Sequence, residues 1–384
     1  MGIGIMNIYV VRPGDTVSGI AAYYGINVSE LIYDNQLVYP YALAVGQALF
    51  IRGDMRMPNR SVFVSGYAYP FISRWVLEQT LPYLTFLPIF SYGFTGDGQL
   101  IPPQADDVPL IVAAKQLGTE PVLVLTPFGT DGQFNNLLIN SVVNNAEYTE
   151  NLIQNLLFVM DEKGYQGLDI DFEYILANDK DAFTAFVQRV SDVMRANGYH
   201  TSVALAPKTS AEQRGLLYEG KDYPAIGAAA DSVLLMTYEW GYTYGPPMAV
   251  APINQVRRVV EYAVTEIPRE KIDLGIPNYG YDWPLPYERG VTAAATINNI
   301  QAIQIALREG AEIMFDEIAQ SPYFQYTNMD DGIVHEVWFE DVRSLQAKFD
   351  LIREFGLRGC GYWQIMQWFR ANWLLLSENF FINK

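Results

Sequence analysis

The stretch "YQGLDIDFEY", Tyr165 to Tyr174, decides how most of this chain is read. Its middle alternates Leu168, Asp169, Ile170, Asp171, Phe172 and Glu173. Alternation at period two is the pattern of a β-strand, whose side chains point to opposite faces in turn. One face is therefore apolar, and the other carries three carboxylates spaced roughly 6.5–7 Å apart. Burying three like charges is costly. Each raises the pKa of its neighbours, so at least one is expected to hold a proton near neutral pH. A carboxyl prepared in that way is a general acid.

On either side of this strand the chain alternates between strand and helix patterns. Apolar strand candidates are "SVFVSGYAY" (61–69), "LTFLPIFSYGF" (84–94), "EPVLVLTPF" (120–128), "GLDIDFEYI" (167–175), "HTSVALAPK" (200–208), "DSVLLMTYE" (231–239), "KIDLGIPNYG" (271–280) and "LRGCGYWQI" (357–365). Between them, Phe183, Phe186, Val187, Val190, Val193 and Met194 recur at helix spacing, with Gly198 after the run. Val256, Val259, Val260, Ala263 and Val264 do the same. Eight strands with helical crossovers predict an α/β fold, a (β/α)8 TIM barrel. Leu168, Ile170 and Phe172 would then face the helices and the three acids the interior. Glu173 comes last, at the C-terminal strand ends where barrel enzymes place their chemistry. The seventh crossover is too long, so residues 281–338 are expected to form a small α+β insertion.

Residues 1–52 read as a separate small unit. "IYVV" is a short strand, "VSGIAAYYG" a helix ending at Gly25, "NVSELIYDNQ" a second helix opening at Asn27, and "GQALFI" a closing strand. The polar, Pro- and Gly-bearing stretch 53–60 reads as a linker to a domain spanning 61–384.

Bulk properties narrow the partner. The 384 residues are half hydrophobic and carry a formal charge of −18, with 26 Tyr, 20 Phe and 7 Trp. So acidic a chain argues against nucleic acid and anionic membrane surfaces, both of which call for Lys and Arg. A neutral ligand with faces to stack on fits better. The single cysteine, Cys360, precludes an intrachain disulfide. The two histidines, His200 and His335, are far apart, and no metal-ligand spacing occurs. No cofactor or metal is expected. The opening "MGIGIMNIYVV" lacks the marks of a secretory signal, and no apolar run approaches the ~18 residues of a membrane span.

Asp-x-Asp-x-Glu by itself could be a cation site. A calcium loop, however, places its acids around a Gly turn, not on a strand with Ile and Phe between them. Glycosidases usually flank the sugar with two carboxylates. Asp171 and Glu173 rise from one strand face and approach from the same side. The arrangement that remains is substrate assistance, in which the sugar's own N-acetyl group is the nucleophile.

"GLDIDFE" resembles the D-G-x-D-x-D-x-E signature of glycoside hydrolase family 18. The likeness runs from Ser61 to the C-terminus: "LLMTYEWG" resembles the family's sixth strand, "LGIPNYG" its seventh and "GCGYWQI" its eighth. The resemblance implies a retaining β-N-acetylglucosaminide hydrolase. It makes Glu173 the proton donor and Asp171 the group that orients the acetamide and stabilises an oxazolinium intermediate. Asp169 would share a proton with Asp171, Tyr238 would hydrogen-bond the acetamide, and Trp363 would stack beneath the ring. Further substrate-binding candidates are Tyr67, Trp240 and Tyr279, and Glu239, which stands where the family has Asp. Two departures matter. Gln166 replaces the leading Asp, and "LVLTPFG" stands where the family has Ser-x-Gly-Gly, which puts a Ser contact to the inner Asp in question.

The run "YVVRPGDTVSGIAAYYGINVSELIYDNQL" with the later "GQALFI" resembles the LysM module. This resemblance implies binding of N-acetylglucosamine polymers, peptidoglycan or chitin, in a groove between Gly14, Asp15 and Thr16 and the loop from Leu37 to about Ala44. Joined to such a barrel, it is similar to the spore cortex-fragment-lytic N-acetylglucosaminidases of endospore-forming bacteria. That likeness implies a spore- or cell-wall-associated protein of a Gram-positive bacterium, acting on peptidoglycan. A chitinase or endo-N-acetylglucosaminidase with the same chemistry is one alternative. A silent, lectin-like barrel is another, and the presence of Glu173 argues against it.

Overall fold

The computed structural model describes residues 8–53, 58–129, 132–330 and 332–384. The first seven residues, part of the stretch read for an export signal, and residues 54–57 of the expected linker lie outside them.

Eight parallel strands close into a barrel. In order they are Ser61–Gly66, Phe86–Phe94, Glu120–Leu125, Gly167–Ile170, His200–Leu205, Ser232–Leu235, Ile272–Pro277 and Gly359–Trp363. Each is paired with the next, and the first with the eighth through Gly359↔Phe63 to Tyr362↔Gly66. The pairing Ser65↔Phe86 joins the first strand to the second. The alternation decides the layers. Leu168, Ile170 and Phe172 are 0% exposed. Phe172 stacks at 5.7 Å on Phe186 and at 5.4 Å on Phe94. Phe186 belongs to helix Lys180–Ala196, whose buried stripe is Phe183, Phe186, Val187, Val190 and Met194. Fully burying a side chain such as Phe172 stabilises the fold by about 2–3 kcal/mol, so the register that turns the acids inward is held by the apolar face.

One difference from the sequence reading bears on the site. The hydrogen-bonded fourth strand ends at Ile170, not at Ile175. The neighbouring third strand stops at Leu125, and the Asp171 N–H makes a last bond to the Leu125 carbonyl at 2.9 Å. Beyond that point no partner strand occurs among the described residues, so Asp171 and Glu173 stand on an extension at the barrel mouth.

After the seventh strand the chain builds an antiparallel sheet from Gly280–Pro284, Ala295–Ile297, Met314–Asp316, Ser321–Thr327 and Val334–Trp338. Helix Asn299–Glu309 packs on it around Ile305, Phe324, Val337 and Phe339.

The N-terminal unit pairs Ile8–Val10 with Ala48–Phe50 around helices Val17–Tyr24 and Val28–Asp34. It rests against the rest of the chain. Asp34 accepts from Arg370 Nε at 3.0 Å, and Gln36 Oε1 from the Arg370 N–H at 2.7 Å. On the insertion side the Ile313 N–H donates to Val45 O at 2.9 Å. Gly46 has φ +82°, and a Cβ there would meet Ile313 O at 1.8 Å, so both backbone conformation and space require glycine. No helix among the described residues is long and apolar enough to cross a membrane.

Candidate active site

Asp169 sits inside the barrel, with Val124 and Ser202 as its Cα partners on the flanking strands. Its carboxylate accepts from Tyr67 OH at 2.9 Å and from Ser202 Oγ at 2.5 Å. Burial pushes its pKa up, while the two hydroxyls and the Lys221 ammonium pull it back. The serine absent from the third strand is thus matched by one from the fifth. Its signal was the alternation of "HTSVALA", which turns Ser202 to the same side as Ala204 and Ala206.

Asp171 is 7% exposed, and its Oδ1 has no hydrogen-bond partner among the described residues. Burial lifts its pKa well above the ordinary carboxylate range, and the negative charges of Glu173 and Asp169 add to the lift. Glu173 is partly buried at the mouth. Its pKa is raised by burial, lowered by Lys221 and raised again by Glu239. A column of three carboxyls, all shifted upward, favours retention of a proton at neutral pH, which is the requirement for a general acid. The hydrogen bonds to Asp169 come from Tyr67 and Ser202, not from Asp171.

The acids open into a cleft of about 730 Å³, whose walls include Asp171, Glu173, Tyr67, Tyr238, Glu239, Trp240 and Trp363. That size suits a small ligand or a pair of sugars. Trp363 is held edge-on by Tyr67 at 5.8 Å, Tyr69 at 6.0 Å and Phe90 at 5.1 Å, so its indole is fixed before ligand arrives. Burial and the neighbouring acids keep the Tyr238 phenol well above its usual pKa, so it remains a hydrogen-bond donor. Glu239 has φ +66°, a left-handed conformation that a residue with a long side chain rarely adopts. Its carboxylate is gripped by the hydroxyls of Tyr279 and Tyr281. Strain of this kind clusters at functional sites and persists only where the surroundings over-determine it.

Tyr279 is 6% exposed and stands behind Glu239 instead of on the cleft wall. Gly14, Asp15 and Thr16 lie in the N-terminal unit, away from the acids. There the Asp15 carboxylate accepts from Tyr9 OH and the Arg12 N–H, both at 2.7 Å, and Thr16 caps helix Val17–Tyr24 through the Gly19 N–H. In the loop expected to form the other wall of the groove, Tyr39 and Tyr41 are exposed and in edge contact at 5.9 Å.

The sequence reading missed Lys221, and also Tyr69, Phe90 and Phe128. These three aromatics are shared between the cleft and an adjoining hollow of about 590 Å³, so the cavity runs on past the acids. Among the described residues no group of three or more His, Cys, Asp and Glu could hold a metal ion.

Residues 77–367 match the family model for glycosyl hydrolases family 18, and residues 9–52 match that for the LysM domain. The chain is 38% identical over 431 residues to the cortical fragment-lytic enzyme of Bacillus subtilis (strain 168), covering 99% of both proteins. It is 36% identical to the crystal structure of the Bacillus cereus spore cortex-lytic enzyme SleL, with a TM-score of 0.82 over 99% of this chain and 88% of that one. A chitinase from Chromobacterium violaceum ATCC 12472 shares the fold, with a TM-score of 0.76 at 23% identity, over 83% of this chain and 98% of that one.

Proposed function

The chain belongs to glycosyl hydrolases family 18 and is a glycoside hydrolase with a LysM domain at its N-terminus, and from that premise we propose that it cleaves spore-cortex peptidoglycan after N-acetylglucosamine by substrate-assisted retention. The single observation that carries the reaction type is the column of carboxyls, Asp169 buried inside the barrel and Asp171 and Glu173 following it on the strand's extension into the cleft wall. An acid and a base on the same side leave the opposite face of the anomeric carbon to a nucleophile carried by the substrate, its acetamide oxygen.

In this reading Glu173 gives its proton to the glycosidic oxygen as the C–O bond breaks. The acetamide oxygen closes on the anomeric carbon, and Asp171 takes up the positive charge that develops on the acetamide nitrogen. Water, deprotonated by Glu173 on the return, opens the ring with retained configuration. Tyr238 fixes the acetamide by donating its phenolic hydrogen, and Trp363 supplies the face on which the pyranose rests. The names of the relatives support cortex as the substrate, and the LysM domain supports a glycan of the same class. A domain that holds the polymer raises the local concentration of cleavable bonds. A spore or cell-wall location accords with both.

The test is mass spectrometry of products from defined soluble cortex fragments, with chitin oligosaccharides as the comparison and proton NMR of the first-formed anomer. Expected are products ending in reducing N-acetylglucosamine, formed first as the β-anomer. Cleavage after the muramic residues, or an α-anomer first, would overturn the proposal.

A further inference from the structure

Lys221 is 1% exposed, among the largest fully enclosed side chains of the protein. A lysine is almost never so placed without a partner. No carboxylate forms an ion pair with it among the described residues, and its Nζ donates to the Ala204 carbonyl at 3.1 Å. Ala204 of the fifth strand and Ala206 just after it line the cleft, beside the segment that bears the acids. The loop carrying Lys221 also contributes Leu217 and Tyr218 to the cleft wall. The preceding residue, Gly220, lies so close to the segment after Glu173 that a Cβ there would meet Ile175 O at 2.5 Å. That contact pins the lysine next to the carboxylates. Its charged surroundings are Asp171, Glu173 and Asp169. Lys208 donates to the Lys221 carbonyl at 3.1 Å, and Tyr223 is tied to Ala206 and to the Lys208 N–H.

We propose that Lys221 is a positioning residue that acts through the acids, a buried ammonium whose through-space charge sets the pH range in which Glu173 is a proton donor while Asp171 is an anion. The inference rests on the hydrolytic reading above. Its logic is electrostatic. Two carboxylates in a desolvated column repel each other, and without a cation both would hold protons at neutral pH, leaving no anion to face the oxazolinium. A direct ion pair would quench the donor by drawing its proton off. A cation set on a backbone carbonyl lowers both acids without bonding to either. Burial opposes the ammonium and brings Lys221 down to about 8, while the three acids hold it up, so it carries charge at neutral pH.

The experiment is the pH profile of kcat/KM on soluble cortex fragments for the native chain, Lys221→Met and Lys221→Arg, with Tm measured for each. Methionine fills a similar volume, and the acids left without the cation can take up protons instead of standing as bare buried charges. Expected for Lys221→Met is a profile moved upward by about one pH unit on both limbs, the scale of one nearby charge, with Tm held. Lys221→Arg should bring the profile back toward native. A lowered Tm with the profile unmoved would make the residue structural and overturn the proposal. Should Lys221→Met fail to fold, NMR titration of the native chain, labelled at lysine Cε, decides. An ammonium signal across the pH range of activity supports the proposal, and a neutral amine throughout that range overturns it. Failure of the native chain to cleave the fragments would instead sink the hydrolytic reading itself.

Discussion

Two buried aspartates, one at the start of helix Val108–Gln116 and one at the barrel mouth, teach what sets a site proposed to work apart from a structural one. Asp107 is 1% exposed and accepts from Tyr92 OH at 2.7 Å, Tyr165 OH at 2.6 Å and Lys163 Nζ at 2.7 Å. Burial pushes its pKa up, but these bonds outweigh the desolvation and leave it below the ordinary carboxylate value. Asp171 is 7% exposed, has an oxygen without a partner among the described residues, and is pushed well above that value. The residue type and depth are similar and the shifts are opposite. Asp107 is satisfied to hold a fold together. Asp171 is left short of partners among the described residues, and in the proposed mechanism the substrate supplies the missing one. A site poised for a charge that exists only during reaction is destabilised at rest.

The largest expected effect is on rate. Glu173→Gln removes the proton donor of the proposed mechanism and should lower kcat by about 10²–10⁴-fold. Asp171→Asn should do the same, since an amide cannot offset the developing positive charge. In both, Tm should equal or exceed the native value, because an uncompensated buried acid is gone. A fall in Tm of the kind expected for Asp107 would break the contrast, showing Asp171 to be a structural acid.

Asp107→Asn comes next, and its effect is on stability. It leaves Lys163 without its charge partner and asks one amide to serve three donors. The cost should be about 2–4 kcal/mol, discounted from the full buried-pair figure because the Lys163 side chain is 26% exposed. Urea denaturation measures it. Activity at a temperature where the variant is folded should stay native, and a selective loss of kcat would show that the cluster reaches the cleft.

How much of this was legible differs with the range of the interaction. The apolar face of Leu168, Ile170 and Phe172 is written in neighbouring residues, so the eight strands and the inward acids are legible in the sequence. Asp171, Glu173, Tyr67, Tyr238, Glu239, Trp240 and Trp363 all come to one cleft. Lys221 was not legible: "YEGKDYP" reads as a solvated loop, and only the Gly220–Ile175 approach, 45 residues apart in the chain, carries the lysine inward. Ser202 was half-legible, since its strand alternates, but which inward residue meets Asp169 depends on the stagger of two strands. The resting of the N-terminal unit on Arg370 and Ile313 joins residues more than 260 positions apart, and such pairs leave no local pattern.

The smallest effect is also the sharpest test of the comparison, because it predicts opposite signs. A carboxyl whose folded pKa is lowered contributes stability that is present above the unfolded value, about 3.9 for Asp, and lost as the pH falls through the folded value. Asp107 is of this kind. The stability gap between native protein and Asp107→Asn should therefore be full at pH 7 and close as the pH falls below about 4. A carboxyl whose folded pKa is raised behaves in reverse. The folded state binds the extra proton between the two values, so stability is lost as pH rises through that window. Asp171 is of this second kind. The advantage of Asp171→Asn over the native chain should grow as the pH rises above about 4 and vanish at the acid end. Urea denaturation of the three proteins across that range measures both slopes. Parallel slopes would mean that the two aspartates feel the same environment, and Asp171 would then not be held in readiness for a bound sugar.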